Sequence, residues 1–286
     1  IGDAGNTADW TGLGGVNYDY QISTYEVTVA QYTEFLNNVA ASDPNGLWSE
    51  NMGSDPLGAS IMRSGEDGSY TYTAVAGKEN QPVRSVNFYD ACRFCNWLAN
   101  EQGSGDTETG SYDLSLGVDI TRSSGATWVL PTEDEWYKAA YYDPVNDVYY
   151  DYPNGSDTVP SEPTDSTTTR EMNFGDSPYW QGWGVCYTAI GETTGHSPYG
   201  VYDMGGNVEE WTETFQPSNY RIARGGGLFN PANALSVTSQ DPSDPTTESH
   251  LLGIRVAYII PEPSSVALFL VGSLGCVFGW MRRQRV

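Results

Sequence analysis

The segment from Asp203 to Glu210 has the residue types and the spacing that a metal site needs. Its two terminal carboxylates lie seven positions apart, and a double glycine, Gly205 and Gly206, stands between them. Glycine lets the backbone turn its carbonyl oxygens inward, and hard cations such as Ca²⁺ take carboxylate and carbonyl oxygens as ligands. The segment therefore predicts a calcium site. The alternative that these residues leave open is a tight turn with solvated acids.

Neighbouring carboxylates suggest acid–base catalysis as a second chemistry, because two acids in one environment can acquire different pKa values. The sequence holds two such pairs, Asp134 with Glu135 and Glu209 with Glu210. Glu135 follows Thr132 by three positions, which is the spacing of a helix capping box. Glu210 is better explained as a cation ligand. We therefore expect no glycosidase-like centre at either pair.

Cysteine and histidine chemistry has little support in the sequence. Cys92 and Cys95 have the CxxC spacing, but no second CxxC follows to complete a zinc site. Buried helix thiols, a redox pair and a disulfide all stay open for them, and the pairing of Cys186 is equally open. The two histidines, His196 and His250, are far apart, and the sequence has no P-loop, dinucleotide fingerprint, HExxH or GxSxG motif.

The charge balance excludes one class of partner. The 286 residues include 13 Lys and Arg against 37 Asp and Glu, a formal net charge of -24. Nucleic-acid binding depends on basic side chains that neutralise phosphates, so we expect no nucleic-acid partner. The 9 Trp, 20 Tyr and 8 Phe are sufficient for a folded core, and the 32 Gly and 16 Pro indicate many turns.

The elements that position these residues are predicted to be few and short. Three helices have start signals, at Thr28 with Gln31, at Asn87, and at Thr132 with Glu135. Strand patterns cover 69–75, 128–130 and 253–259, and residues 154–169 form a polar loop. Two or three helices among short strands and long loops predict a mixed α+β domain over residues 1–258.

Residues 259–286 form a separate tail. An apolar run over 264–280 has 17 residues, the lower limit for a membrane-spanning helix. A Pro-Glu-Pro tripeptide precedes the run and a basic stretch follows it; these features comprise Pro261, Glu262, Pro263, Arg282 and Arg283. This order resembles the PEP-CTERM sorting signal. The resemblance implies an exported protein of a Gram-negative-type bacterium, held at the inner membrane until an exosortase processes it; a plain tail anchor or a buried apolar helix is the alternative.

Several motifs in the body of the chain occur in a specific order. They are Tyr25-Glu26-Val27-Thr28, the stretch 82–91, Leu130-Pro131-Thr132-Glu133-Asp134-Glu135-Trp136, the stretch 199–211, Arg224-Gly225-Gly226-Gly227 and Gly253-Ile254-Arg255-Val256-Ala257. This series resembles the formylglycine-generating enzyme, or sulfatase-modifying factor, family over residues 20–258. The resemblance implies a C-type-lectin-like α+β fold, loop-rich and with bound calcium.

The same resemblance implies which residues would hold calcium. Asp203 and Glu210 match side-chain ligands of the family, and Gly206 and Val208 match positions that offer carbonyl oxygens. A second family site would begin at Asn173, but the aspartate expected later in the chain falls near Gly182.

The family's oxidase chemistry does not carry over to this sequence. Its enzymes use two cysteines after the Arg-Gly-Gly-Ser segment to hold copper(I), for which soft thiolates are suited. Those positions are Asn230 and Leu235 here, so we expect no copper. Trp180 and Trp183 belong to an aromatic segment that either packs in a core or, together with Asn230, contacts a ligand.

The sequence thus predicts an exported, calcium-stabilised binding module of the cell surface or extracellular matrix, with a glycan or a protein as its ligand. One alternative is a formylglycine-generating or other oxidase with an unrecognised centre. The other is a purely structural surface or matrix protein.

Overall fold

Side-chain caps fix the starts of the helices in the computed structural model, which describes residues 1–55, 58–161, 171–175 and 187–261. Thr28 and Thr132 each form the reciprocal capping box predicted from the sequence, and Asn87 accepts a hydrogen bond from the amide of Asp90. A short helix capped by Ser49 was not predicted, because five residues are too few to show a helical period. The helices are α1 (Val29–Val39), α2 (Glu50–Ser54), α3 (Phe88–Ala99) and α4 (Glu133–Tyr141).

The described strands are short and form several small sheets. They are β1 (Tyr20–Ile22), β2 (Ile61–Ser64), β3 (Thr71–Ala74), β4 (Trp128–Val129), β5 (Tyr142–Asp143), β6 (Val148–Tyr149), β7 (Glu209–Gln216), β8 (Tyr220–Arg224), β9 (Asp241–Ser243), β10 (Leu252–Gly253) and β11 (Ala257–Ile259). One antiparallel sheet has the order β1-β11-β4, so it joins both ends of the described chain, with Tyr20 opposite Ile259. The larger sheet has the order β10-β7-β8-β9, with β10 parallel to β7. This mixture confirms the predicted α+β class.

Two strand predictions hold, and one needs correction. The patterns at 69–75 and 128–130 contain β3 and β4. The run at 253–259 does not form one strand: it overlaps the end of β10 and contains β11, with residues 254–256 between the two. There the backbone instead bonds to the segment before α1, because the amides of Val27 and Ser23 donate to the carbonyls of Ile254 and Val256.

The core consists largely of aromatic side chains. Between α1 and α3, the rings of Tyr32, Phe35, Phe94 and Trp97 contact one another at centroid distances of 5.2 to 5.9 Å. A second cluster surrounds the buried face of α4 and Trp136. The fold is therefore held by aromatic packing beneath long loops, as the composition predicted.

No helix within the described residues is long and apolar enough to cross a bilayer. The predicted apolar helix at 264–280 lies outside the described residues, as do Glu262, Pro263, Arg282 and Arg283 of the sorting signal. Pro261 is the last residue that the structure describes.

Candidate functional site

The segment from Asp203 to Glu210 forms a tight buried turn that leads into β7. Asp203, Gly206 and Asn207 have positive φ angles of 56°, 83° and 61°. A Cβ atom at Gly206 would overlap the carbonyl oxygen of Asn173, which accepts a 2.7 Å hydrogen bond from the amide of Asn207. Glycine is therefore required there by close backbone approach. The turn also brings Asn173, predicted for a second metal site, next to the first.

Asp203 is buried, and both of its carboxylate oxygens accept hydrogen bonds. Its Oδ1 accepts from the hydroxyl of Thr193 at 2.6 Å, and its Oδ2 accepts from the amide of Gly191 at 3.2 Å. These contacts tie the loop around residues 191–193 to the turn.

Glu210, the other predicted side-chain ligand, forms a fully buried ion pair with Arg255. Arg255 donates from Nη2 to Oε1 at 2.7 Å and from Nε to Oε2 at 2.8 Å, and Trp136 donates from Nε1 to Oε2 at 2.6 Å. The guanidinium also donates to the carbonyls of Ser23, Tyr202 and Asp203. The charge of Glu210 is thus compensated by a cation of the chain itself.

Glu26 is a third buried carboxylate at this site, and it was not among the residues predicted to bind a ligand. Asn207 donates to its Oε2 at 3.3 Å, whereas its Oε1 is buried without a hydrogen-bond partner among the described residues. Burial first, and then the charges of Asp203 and Glu210, raise the pKa of Glu26 well above its usual range. The only sequence signal for Glu26 was its position in the Tyr25–Thr28 motif.

Carboxylate oxygens are the ligands that a hard cation prefers, but those of Asp203 and Glu210 already accept hydrogen bonds within the chain. Three carboxylates, Glu26, Asp203 and Glu210, interact electrostatically with the guanidinium of Arg255, so the cluster has more acidic groups than basic ones. The unpartnered Glu26 Oε1 is the oxygen that most needs a cation or a proton. Within the described ranges, no three His, Cys, Asp or Glu side chains converge as a ready metal set, so calcium would also need the predicted carbonyls of Gly206 and Val208. The calcium site stays a prediction.

The two positions that correspond to the copper cysteines carry side chains with structural contacts. Asn230 accepts a 2.7 Å hydrogen bond at Oδ1 from the amide of Gly227 and closes the glycine turn after β8. Leu235 is fully buried and packs in a small apolar cluster with Met172 and Phe174. Neither side chain supplies a soft ligand. Trp180 and Trp183, predicted beside Asn230 as ligand contacts, lie outside the described residues.

The remaining chemical candidates also have structural partners. Glu135 completes the capping box of α4 and accepts two hydrogen bonds from Arg122, at 2.8 and 2.9 Å, while Asp134 accepts from the amide of Gly14. Cys92 and Cys95 are buried free thiols on α3, and burial raises the pKa of each, so the thiolate form is disfavoured. Cys186 lies outside the described residues.

Glu209, the partner of Glu210 in the second acid pair, is buried on β7. Burial and a contact with the carboxyl of Asp241 raise the pKa of Glu209 to about 8. Two carboxyls in contact favour a shared proton, which explains this direction. The neighbouring acids therefore face different partners, Glu209 towards Asp241 and Glu210 towards Arg255.

Comparison with solved structures agrees with this fold. The Treponema denticola variable protein 1 superimposes with a TM-score of 0.55 at 18% identity, covering 90% of this chain and 92% of that one. The crystal structure of CarF superimposes with a TM-score of 0.54 at 19% identity, covering 91% of this chain and 94% of that one. PvdO from Pseudomonas aeruginosa superimposes with a TM-score of 0.50 at 18% identity, covering 85% of this chain and 82% of that one. At these identities, the likeness shows the fold alone.

Sequence comparison gives a relative and two family matches. A protein named chaperone protein LppX from Paenibacillus barcinonensis is 25% identical over 265 residues, which cover 83% of this chain and 79% of that protein. The sequence model of the sulfatase-modifying factor enzyme 1-like domain matches residues 16–260, and that of the PEP-CTERM protein-sorting motif matches residues 260–283. The chain therefore belongs to the sulfatase-modifying factor enzyme 1-like family, and it carries a PEP-CTERM sorting motif after that domain.

Proposed function

We propose that this protein is a non-catalytic binding module that acts at the cell surface or in the extracellular matrix. The observation that supports the proposal most strongly is that Asn230 and Leu235 occupy the two positions where the family resemblance places the copper-binding cysteines. One side chain closes a backbone turn and the other fills a core cluster, and neither carries the soft ligand atom that copper(I) needs. The domain thus has the family scaffold with different side chains at its oxidase positions.

The sorting motif gives the route of the protein. A PEP-CTERM motif marks an exported protein of a Gram-negative bacterium and implies processing by an exosortase. We propose in addition that the apolar run at 264–280 holds the precursor at the inner membrane until that processing occurs. Mass spectrometry of the exported protein should then find a chain shortened near Pro261, and an intact Arg285-Val286 end would contradict this route.

A polypeptide is the ligand class that we favour. The relative from Paenibacillus barcinonensis bears the name of a chaperone, and it matches over most of both chains. A chaperone role requires contact with another polypeptide. Among the predicted alternatives, a glycan ligand, an oxidase with an unrecognised centre and a purely structural protein have no comparable support.

Calcium is proposed as a stabilising ion of this module. The proposed ligands are the carboxylates of Asp203 and Glu210 with the carbonyls of Gly206 and Val208, and Glu26 supplies a further oxygen close by. A bound cation would offset the negative charges that the fold buries there. Its role would be to fix the turn before β7, and no chemical step depends on it.

An array of peptides and glycans, probed with the mature exported protein with and without calcium, tests the binding function. We expect saturable binding to peptides and none to glycans. Saturable binding to glycans alone would show that the ligand is a glycan and not a polypeptide. Binding to neither class, together with ordered self-assembly of the protein, would favour the structural alternative and contradict the proposal.

A further inference from the structure

A cavity of about 510 Å³ lies on a different part of the domain from Asn230 and Leu235. Its walls come from the segment 23–27 after β1, from α1, from the end of α3 and from Trp128 of β4. This volume lies within the range of small-molecule and side-chain binding clefts. None of the described residues that line it comes from the segment 224–235.

Aromatic rings form much of this cavity's lining. Tyr25, Phe94, Trp97 and Trp128 line it. Phe94 and Trp97 belong to the buried core between α1 and α3, whereas Trp128 is half-buried, with its ring 5.1 Å from that of Tyr258. Several other rings of the domain are already covered by arginine; the described examples include Arg63 over Trp48, Arg84 over Tyr187 and Arg221 over Phe88, at 4.1 to 4.4 Å. The four cavity rings have no such partner among the described cation–π contacts.

The charges of the cavity have one sign. Its ionisable acids are Glu34, which is exposed on α1, and Glu26, which is buried and interacts with Asp203, Glu210 and Arg255. No Lys, Arg or His lines it in the described chain, and the whole protein has a formal net charge of -24. The hydroxyl of Ser23 in the cavity wall is buried without a hydrogen-bond partner among the described residues. A negative, aromatic cavity with an unsatisfied hydroxyl is complementary to a cation with an apolar stem.

We propose that this cavity binds a lysine or arginine side chain of a polypeptide ligand. The aliphatic stem would lie against Trp128 and Tyr25, and the charged end would meet Glu34. This inference rests on the proposed binding function and locates its site. A sugar suits the cavity less well, because charge complementarity contributes nothing to binding a neutral sugar.

The test uses the full-length protein and fluorescence anisotropy with a fluorescein-labelled peptide, Gly-Gly-Lys-Gly-Gly. A matched peptide with norleucine in place of lysine keeps the stem and removes the charge, and a labelled maltotriose represents the sugar class. We expect saturable binding of the lysine peptide only. Equal binding of the norleucine peptide, or binding of maltotriose alone, would overturn the proposal.

Two substitutions locate the site, and each has a matched control. Glu34→Gln changes an exposed acid and should weaken binding about threefold, with Glu50→Gln on α2 as its control. Trp128→Leu should weaken it about tenfold, with Trp10→Leu, at a ring 77% exposed elsewhere, as its control. Both controls should bind like the parent protein.

The outcomes separate the cavity from the wider function. If a peptide from the array binds saturably and both Glu34→Gln and Trp128→Leu leave its affinity unchanged, the binding function stands and this site is wrong. If the array yields no ligand of any class, the binding function itself fails. Circular dichroism of Trp128→Leu shows whether it is folded, and Glu34→Gln tests the site even if it is not, because an exposed side chain is not needed for folding.

Discussion

Arg255→Met removes the buried cation that faces Glu210 and should destabilise the domain strongly. Methionine keeps an unbranched stem but leaves the Glu210 carboxylate with Trp136 as its remaining hydrogen-bond donor among the described residues. Breaking a buried ion pair by removing one partner costs about 3–5 kcal/mol. We expect the upper half of that range, because the carbonyls of Ser23, Tyr202 and Asp203 lose a donor as well.

The converse substitution should cost less. Glu210→Gln leaves the guanidinium of Arg255 with its three carbonyl acceptors and with Glu26 and Asp203 near it. We therefore expect the free energy of unfolding to fall by about 1.5–3 kcal/mol. The double variant, with Arg255→Met and Glu210→Gln together, should lose less unfolding free energy than the sum of the two single losses, by a coupling energy of about 1–3 kcal/mol. At roughly 2–4 °C per kcal/mol, Arg255→Met alone should lower Tm by about 8–20 °C.

Urea unfolding in EDTA, followed by tryptophan fluorescence, measures these free energies. Arg63→Met is the matched control: its pair with Asp43 is long, at 3.9 Å, and partly exposed, and its guanidinium also lies over the Trp48 ring, so the expected loss of unfolding free energy is about 2 kcal/mol or less. A loss below about 1 kcal/mol for Arg255→Met would refute the reasoning, because Glu210 would then not depend on its guanidinium. A loss that excess calcium largely reverses would show that the metal can take over this role.

Three further predictions concern the same domain. Calcium at about a hundred times its Kd should add roughly 2.7 kcal/mol of stability, magnesium much less, and Asp203→Ala should abolish the effect in thermal melts; equal melting in EDTA and calcium would contradict the site. Burial raises the pKa of Asp90 to about 7, so this carboxyl keeps a proton in the folded state that the unfolded chain releases from about pH 4 upwards, and its contribution to stability should fall as pH rises from about 4 to 7. Asp90→Asn should match the parent at pH 4 and exceed it by up to about 4 kcal/mol at pH 8 in urea titrations, whereas an equal difference at both pH values would disprove the shift. Gly206→Ala should lower the free energy of unfolding clearly more than Gly200→Ala. Both glycines have a positive φ, but only at Gly206 would the new Cβ overlap a backbone oxygen, that of Asn173; equal losses of stability would show that the backbone at Asn173 can shift to relieve this overlap.

Local signals predicted the elements that local contacts determine. The capping boxes of Thr28 and Thr132 were predictable because each joins residues three positions apart. The hairpin of β7 and β8 was missed: its turn uses Ser218 and Asn219 at φ angles of 77° and 68°, and no Asn-Gly or Asp-Gly pair marks it.

The candidate site was predictable only in part. The glycine turn between Asp203 and Glu210 could be found because glycine and carboxylate lie close together in sequence. The ion pair of Glu210 with Arg255 joins residues 45 positions apart, and Glu26 reaches Asn207 across 181 positions. Contacts over such separations leave no periodic signal in one sequence, so only the structure could identify Arg255 as the partner that would compete with calcium for Glu210.

We propose that this domain keeps the family scaffold and lacks the family's oxidase activity. The most direct test incubates the exported protein with a cysteine-containing sulfatase peptide, added Cu(I) and air, and measures the peptide mass. With Asn230 and Leu235 at the thiolate positions, we expect the peptide to stay unmodified, as in a control without protein. A formylglycine product above that control would contradict it.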